Sequence, residues 1–335
     1  MKTCPHCDAG YADSHFTCPT HGVLLSEITV LQPDLLLKNN YRIIRKIAEG
    51  EIGAVYLAVE TLMGKPRVLK FLSRSLSGDV SFTDSLRREL RTLSQVRHKN
   101  VINSGDLERA GDGTLFFAKE YVNGPNVHRL QCNTTNPFPA WRALEIARGI
   151  AEGLGAAHSK GMVHRDIRPE NILMLNEGNY RVGNEWVPKI AGFGIVASKE
   201  RSATYRKTGG TLLAMAYAAP EQWRGVPAEQ LDGRTDLYAL GGVLFEMLTG
   251  ETVFDAENYE GWAWEHANRP PRPPSESRPE LVHWRGLDEL VLRLLSKDLE
   301  DRPRDAAEVL KLITAIEHIS AMRSEALLES PPPAH

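Results

Sequence analysis

Apolar and polar positions alternate in the first third of the chain, and helical spacing takes over later. "YRIIRKIAEGEIGAVYLAVE" predicts two strands, Tyr41–Ala48 and Ala54–Val59, around a glycine-containing turn. "RVLKFL" (Arg67–Leu72), rich in branched apolar residues, predicts a third strand, and "TLFFAKEYV" another. Between them, "FTDSLRRELRTLSQV" places Leu86, Leu90, Leu93 and Val96 at helical spacing. From Ala140 onward helical patterns dominate, interrupted by a hairpin-like stretch from Ile172 to Ile190. They return in "RTDLYALGGVLFEMLTG" and "RPRDAAEVLKLITAIEHI". The proline-rich "NRPPRPPSESRP" reads as a loop, "ESPPPAH" as a tail, and no internal repeat is present. The pattern is α+β, with a β-rich part followed by a mainly helical one.

A chain of 335 residues accommodates one large two-lobed domain and a small appendage. Apolar residues make up 42% and charged residues 25%, an ordinary balance for a soluble globular protein. The net charge of −3 gives no electrostatic case for nucleic acid as a partner, and none is expected. No window approaches eighteen uncharged apolar residues, so no membrane segment is expected. "MKTCPHCDAG" lacks an apolar signal core, so the cytoplasm is the expected compartment, with free or metal-bound thiols rather than disulfides. Cys132 stands alone and reads as a packed or incidental thiol.

The other three cysteines fall in the first eighteen residues. Cys4, Cys7, Cys18 and His21 form a C-x2-C-x10-C-x2-H array. Two tight pairs brought together give three thiolate sulfurs and one imidazole nitrogen, a tetrahedral set that Zn2+ favours. So short a segment buries too little apolar surface to fold unaided, and a structural zinc would supply the missing stability. His6 and His15 compete as fourth ligand, but only His21 repeats the two-residue spacing. The alternative is a disordered tail with incidental cysteines.

The later motifs occur in a telling order. "HRDIRPEN" supplies His164, Arg165 and Asp166, with Asn171 five residues past the aspartate. A glycine-containing turn, Lys70 on a strand and Glu89 on a helix precede it; "APE" at Ala219–Glu221, Asp236 in "RTDLYALG" and Arg302 in "DRPRDA" follow. Over residues 41 to 320 the chain resembles the bacterial-type Ser/Thr protein kinases, preceded by a segment similar to a small zinc ribbon. The resemblance implies a bilobal protein-kinase-like fold of the α+β class, with a β-rich N-lobe and a mainly helical C-lobe. The expected organisation is a zinc-ribbon-like module at 1–25, a linker at 26–40, an N-lobe at 41–124, a C-lobe at 125–320 and a tail at 321–335.

It also implies roles. Asp166 would accept the proton of a protein hydroxyl, Asn171 would hold a metal ion, and Lys70 would bind the α/β-phosphates of ATP while pairing with Glu89. Arg168 stands where the family usually has a lysine, keeping the charge as a planar fork. The nucleotide would be held by Ala48, Gly50, Gly53, Val55, Lys70, Lys119, Glu120, Val122 and Asn171. Asp236 would anchor the catalytic loop, and Arg302 would pair with Glu221. Arg165 would receive a phosphate from an activation loop carrying Ser198, Ser202, Thr204, Tyr205 and Thr208.

Departures from the family pattern set the functional question. Ala48 replaces the first glycine of the phosphate loop. "KIAGFGIVAS" places Gly192, which has no side-chain oxygen, where the family's metal-binding aspartate stands, ahead of Phe193 and Gly194. The use of Mg2+ or Mn2+ is therefore in doubt, because phosphoryl transfer depends on positioning and charge stabilisation. Thr211 lies about three residues too early for its usual place before "APE", leaving either a small insertion or Ala214 in that place. Lys119 falls at the gatekeeper position, where it either stands in for lost metal charge or draws Glu89 from Lys70. The alternatives are a lysine that snorkels outward or a strand register shifted by one. Two functions follow: an ATP-dependent Ser/Thr kinase of weakened or metal-atypical activity, or an inactive pseudokinase serving as a nucleotide-responsive signalling scaffold. A third makes the zinc ribbon the recruiting element, although Lys2 is the only lysine or arginine in its first 22 residues.

Overall fold

Alternating apolar positions are what a sheet with one buried face requires, and the first half of the fold follows that rule. The computed structural model describes residues 2–3, 10–11, 17, 19, 26–27, 31, 33–50, 53–133, 137–176, 186–193 and 212–328. The chain divides into two units, residues 1–95 with 103–121, and residues 96–102 with 122–335.

In the first unit, Lys2–Thr3 (β1), Gly10–Tyr11 (β2) and Ser26–Glu27 (β3) form a small antiparallel sheet with β1 central. The larger sheet contains Leu36–Leu37 (β4), Tyr41–Gly50 (β5), Gly53–Glu60 (β6), Lys65–Phe71 (β7), Ser104–Arg109 (β8) and Leu115–Glu120 (β9). Its order is β4-β5-β6-β7-β9-β8, antiparallel throughout. Residues 26–40, expected as a linker, thus contribute a strand to each sheet. β8 was invisible in the sequence, because "SGDLER" has no regular apolar alternation.

One face of the large sheet is a core of Ile43, Tyr56, Ala58, Leu69, Phe71, Phe116 and Ala118. Phe71 stacks on Phe116 with ring centroids 5.0 Å apart and meets Tyr56 edge-on. Two helices follow β7, Arg74–Gly78 (α1) and Val80–Leu93 (α2). The Asp79 carboxylate caps α2 by accepting from Phe82 N at 3.0 Å. α2 buries Phe82, Leu86, Leu90 and Leu93, and lies against β8. Val96 is buried but is not on this helix: the chain turns at Ser94 and Gln95, and Val96 belongs to the second unit.

The second unit holds Val127–Asn133 (α3), Ala140–His158 (α4), the hairpin Ile172–Asn176 (β10) with Trp186–Ile190 (β11), and Pro220–Trp223 (α5). Gly233–Thr249 (α6), Tyr259–Asn268 (α7), Pro274–Ser277 (α8), Leu287–Leu294 (α9) and Ala306–Leu328 (α10) complete it. The stretch expected to be a proline-rich loop carries the short α8, and α10 continues past residue 320 into the expected tail. Most of α6 is apolar and buried, packing against α4 and α9. The Asp232 carboxylate caps its start, and Gly250 at φ 79° ends it in the left-handed conformation. No described helix is long and apolar enough to cross a membrane.

Arg302 ties this unit together. Its guanidinium is fully buried and grips Glu221 bidentately, with Nη1–Oε1 at 2.8 Å and Nη2–Oε2 at 2.9 Å. Its remaining N–H groups donate to the carbonyls of Ser296, Arg234 and Lys297. Thr235 Oγ1 donates to Glu221 Oε1 at 2.8 Å. Burial alone would raise the Glu221 carboxyl, but hydrogen bonds and charge from Arg302 outweigh it and hold the pKa below the ordinary value. Removing one partner leaves the other charge buried and unpaired. Arg302→Met is therefore expected to cost about 3–5 kcal/mol in denaturant unfolding of the full chain. A loss below about 1 kcal/mol, the worth of an exposed pair, would overturn that expectation.

Candidate active site

The loop carrying His164, Arg165 and Asp166 is built around one buried carboxylate. Asp236, on the first turn of α6, accepts from His164 N at 2.8 Å and from Arg165 N at 2.7 Å. His158 Nε2, at the end of α4, donates to Oδ2 at 2.8 Å, since an ionised carboxylate can only accept. These bonds hold Arg165 at φ 66°, a conformation unfavourable for a side chain larger than glycine. The carbonyl of Arg165 in turn accepts from Gln222 Nε2 at 3.0 Å.

His164 uses both ring nitrogens. Nε2 donates to the carbonyl of Ala191 at 2.8 Å, and Nδ1 accepts from Asp166 N at 3.2 Å. That pattern fixes the neutral Nε2–H tautomer. The ring meets Phe193 edge-on with centroids 4.4 Å apart, joining the catalytic loop to the segment that carries Gly192.

Asn171 points its amide nitrogen at Asp166, donating to the backbone oxygen at 2.7 Å and to carboxylate Oδ2 at 2.9 Å. Both N–H groups are thereby used, leaving Oδ1 as a neutral oxygen donor. The Arg168 Nε lies 3.7 Å from Asp166 Oδ1 and 3.8 Å from Glu170 Oε2, so its charge is shared between two carboxylates. The structure thus brings Asp166, Arg168 and Asn171 together, while Val122 is buried in the same unit.

Gly192 adopts φ 102°, where L side chains are strained, and an added Cβ would come within 3.2–3.3 Å of the Asn171 amide. The backbone here suits glycine specifically, and restoring an aspartate requires both strain and movement of Asn171.

The first unit carries the other candidates. Ala48, Val55, Lys70 and Phe117 form a cross-strand row through β5, β6, β7 and β9. Two residues along, Val68 of β7 faces Lys119 of β9, so Lys70 and Lys119 share the face opposite the aromatic core. The β7–β9 register runs without irregularity, and the Lys119 ammonium sits 5.2 Å from the Phe117 ring centroid. Burial, then repulsion from Lys70, pulls the Lys119 amine down to about 7. Glu120 accepts from Asn103 N at 3.2 Å, and Glu89 is half-buried on α2. Gly50 pairs with Gly53. A Cβ at Gly53 would meet the Phe71 carbonyl at 2.0 Å, so that glycine is required by backbone packing.

Some expectations fall outside the described residues: Cys4, Cys7, Cys18 and His21, Gly194, the five activation-loop hydroxyl residues, and Thr211. Ala214 lies in the described 3-10 turn Leu212–Tyr217, though its side chain does not belong to the described set. Among the described residues no cluster of three His, Cys, Asp or Glu could hold a metal ion. Sequence reading missed Glu246. Its carboxyl, on α6, is raised by burial first, while Tyr217 donates its hydroxyl to it and the charge of Glu170 adds to the rise. Only the fold brings these three together, so no spacing signal announces them.

A family profile described as protein kinase domain matches residues 41–312. Serine/threonine-protein kinase pkn3 of Myxococcus xanthus is 34% identical over 272 residues, covering 79% of this chain and 48% of the relative. Serine/threonine-protein kinase PknB of Mycobacterium leprae is 30% identical over 276 residues, covering 82% of this chain and 42% of the relative. The chain therefore spans about half or less of the length of these relatives. The PknI kinase domain of Mycobacterium tuberculosis is similar in fold, with TM-score 0.65 and 24% identity, over 85% of this chain and 99% of that one.

The geometry at position 192 sets a first test of the site. Gly192→Ala and Gly192→Asp are each expected to destabilise the chain by about 1–3 kcal/mol in denaturant unfolding. Unfolding midpoints equal to that of the native chain would remove the claim that this backbone is fitted to glycine.

Proposed function

Since the chain belongs to the protein kinase domain family, we propose that it binds ATP and transfers the γ-phosphate to protein Ser/Thr hydroxyls, with weakened or metal-atypical activity. The observation that carries this reading is the assembled catalytic loop. Asp166 is oriented by Asn171, and the loop's backbone is pinned by Asp236, without an aspartate at position 192. A chain with no use for Asp166 would have no physical need of this network.

The family implies Mg2+ or Mn2+ with the nucleotide, and the donor set here does not fit a metal pair. Gly192 contributes no side-chain oxygen, and Asn171 keeps a single neutral one. What these residues do by themselves is narrower. Asp166 receives the proton of the attacking hydroxyl, and Asn171 fixes the rotamer in which it does so. Arg168 places a guanidinium beside that carboxylate, able to stabilise negative charge on a phosphoryl group.

The glycine-specific backbone at 192 favours a second reading, a pseudokinase that binds nucleotide and signals through conformation. A transfer assay in Mg2+, Mn2+ or chelator, on the native chain and Asp166→Asn, separates the two. The kinase reading expects slow transfer that falls at least about a hundredfold in Asp166→Asn. Transfer indifferent to that substitution sinks it, and nucleotide binding without transfer in any metal favours the scaffold. Protein substrates and a cytoplasmic setting belong to the same proposal.

The N-terminal module is proposed to hold a structural Zn2+ through Cys4, Cys7, Cys18 and His21. The pairing of Thr3 with Gly10 supports it, since those two residues bracket the segment that carries Cys4 and Cys7. Metal analysis should find about one zinc per chain, lost in the Cys4→Ser/Cys18→Ser double variant. A zinc-free native chain would refute the assignment.

A further inference from the structure

We propose that Lys119 is a second phosphate-binding cation beside Lys70, placing protein charge where a nucleoside triphosphate binds without a divalent ion. The inference rests on the nucleotide-binding reading and deepens it.

Register supplies the first argument. Lys70 faces Phe117 and Val68 faces Lys119 in an unbroken antiparallel ladder, so the two lysines emerge from one face, on adjacent strands and two positions apart. The Lys119 ammonium folds back over the ring of Phe117, the residue paired with Lys70, rather than running outward along the sheet.

Charge supplies the second. The Lys119 side chain is drawn out of water and repelled by Lys70, the two causes that depress its affinity for a proton. Among the described residues no carboxylate lies within ion-pair distance of it, and its close partner there is the Phe117 ring face. Repulsion between like charges on one partly buried face is relieved by a polyanion that contacts both. A polyphosphate suits this site better than a single carboxylate, because its several charges can engage both ammoniums at once.

Gly192 supplies the third. The family's metal-binding carboxylate is missing, so a bound triphosphate keeps charge that a divalent ion would otherwise neutralise.

Equilibrium binding of ATP and of adenosine to the full chain, each in magnesium and in chelator, tests the idea with Lys119→Met, Lys119→Gln and Lys119→Arg. The native chain is expected to hold ATP in chelator within about threefold of its affinity in magnesium, a difference of under half a decade. Lys119→Met and Lys119→Gln should each weaken ATP in chelator about tenfold, leave adenosine unchanged, and be rescued by Lys119→Arg. Using both neutral variants keeps the test open should one of them fail to fold. Equal loss for ATP and adenosine, or no loss for either, overturns the role of Lys119 while leaving nucleotide binding intact. A native chain that binds neither ligand overturns the nucleotide reading itself, and with it this inference.

Discussion

The buried carboxylate of Asp236 is the constraint on which the catalytic loop depends. A group of this charge, nearly free of solvent contact, is tolerable inside a protein only when its lone pairs are filled. Here His158, His164 and Arg165 fill them, and two of the three donors are backbone N–H groups. The loop cannot relax from φ 66° at Arg165 without leaving a buried charge unsatisfied. The pinned loop carries His164, whose ring bonds the Ala191 carbonyl and meets Phe193, and Asp166, which Asn171 orients.

The same unit contains a second buried charge solved differently. Arg302 and Glu221 satisfy each other bidentately, with carbonyls taking the remaining guanidinium protons. Both arrangements tie residues far apart in sequence to the first turn of α6. The rigidity of the site is thus a consequence of charges that have nowhere else to go. Lys119 is the exception, a half-buried cation without a carboxylate within reach among the described residues.

Much of this was legible in the chain. Alternation located β5, β6, β7 and β9, and helical spacing located α2, α6 and α10, because these elements bury a regular set of apolar positions. The ordered motifs identified Asp166, Asn171, Asp236, Glu221 and Arg302. Elements without a regular apolar pattern escaped: β8, whose side chains are mostly polar, and the short strands inside the expected linker. Val96 fitted the helical spacing by coincidence, since spacing says nothing about where a helix is capped.

By itself the sequence determined the family, the glycine at 192 and the lysine at 119, since each is a matter of residue identity and order. The tertiary structure decided what those identities mean. It set Gly192 at φ 102° against the Asn171 amide, and turned that amide onto the Asp166 carboxylate. It also laid Lys119 on the face of Lys70, over the ring of Phe117. The physical reason is common to all three. Backbone angle, rotamer and the sharing of charge between side chains are fixed by neighbours distant in sequence, and those neighbours exist only once the chain has folded.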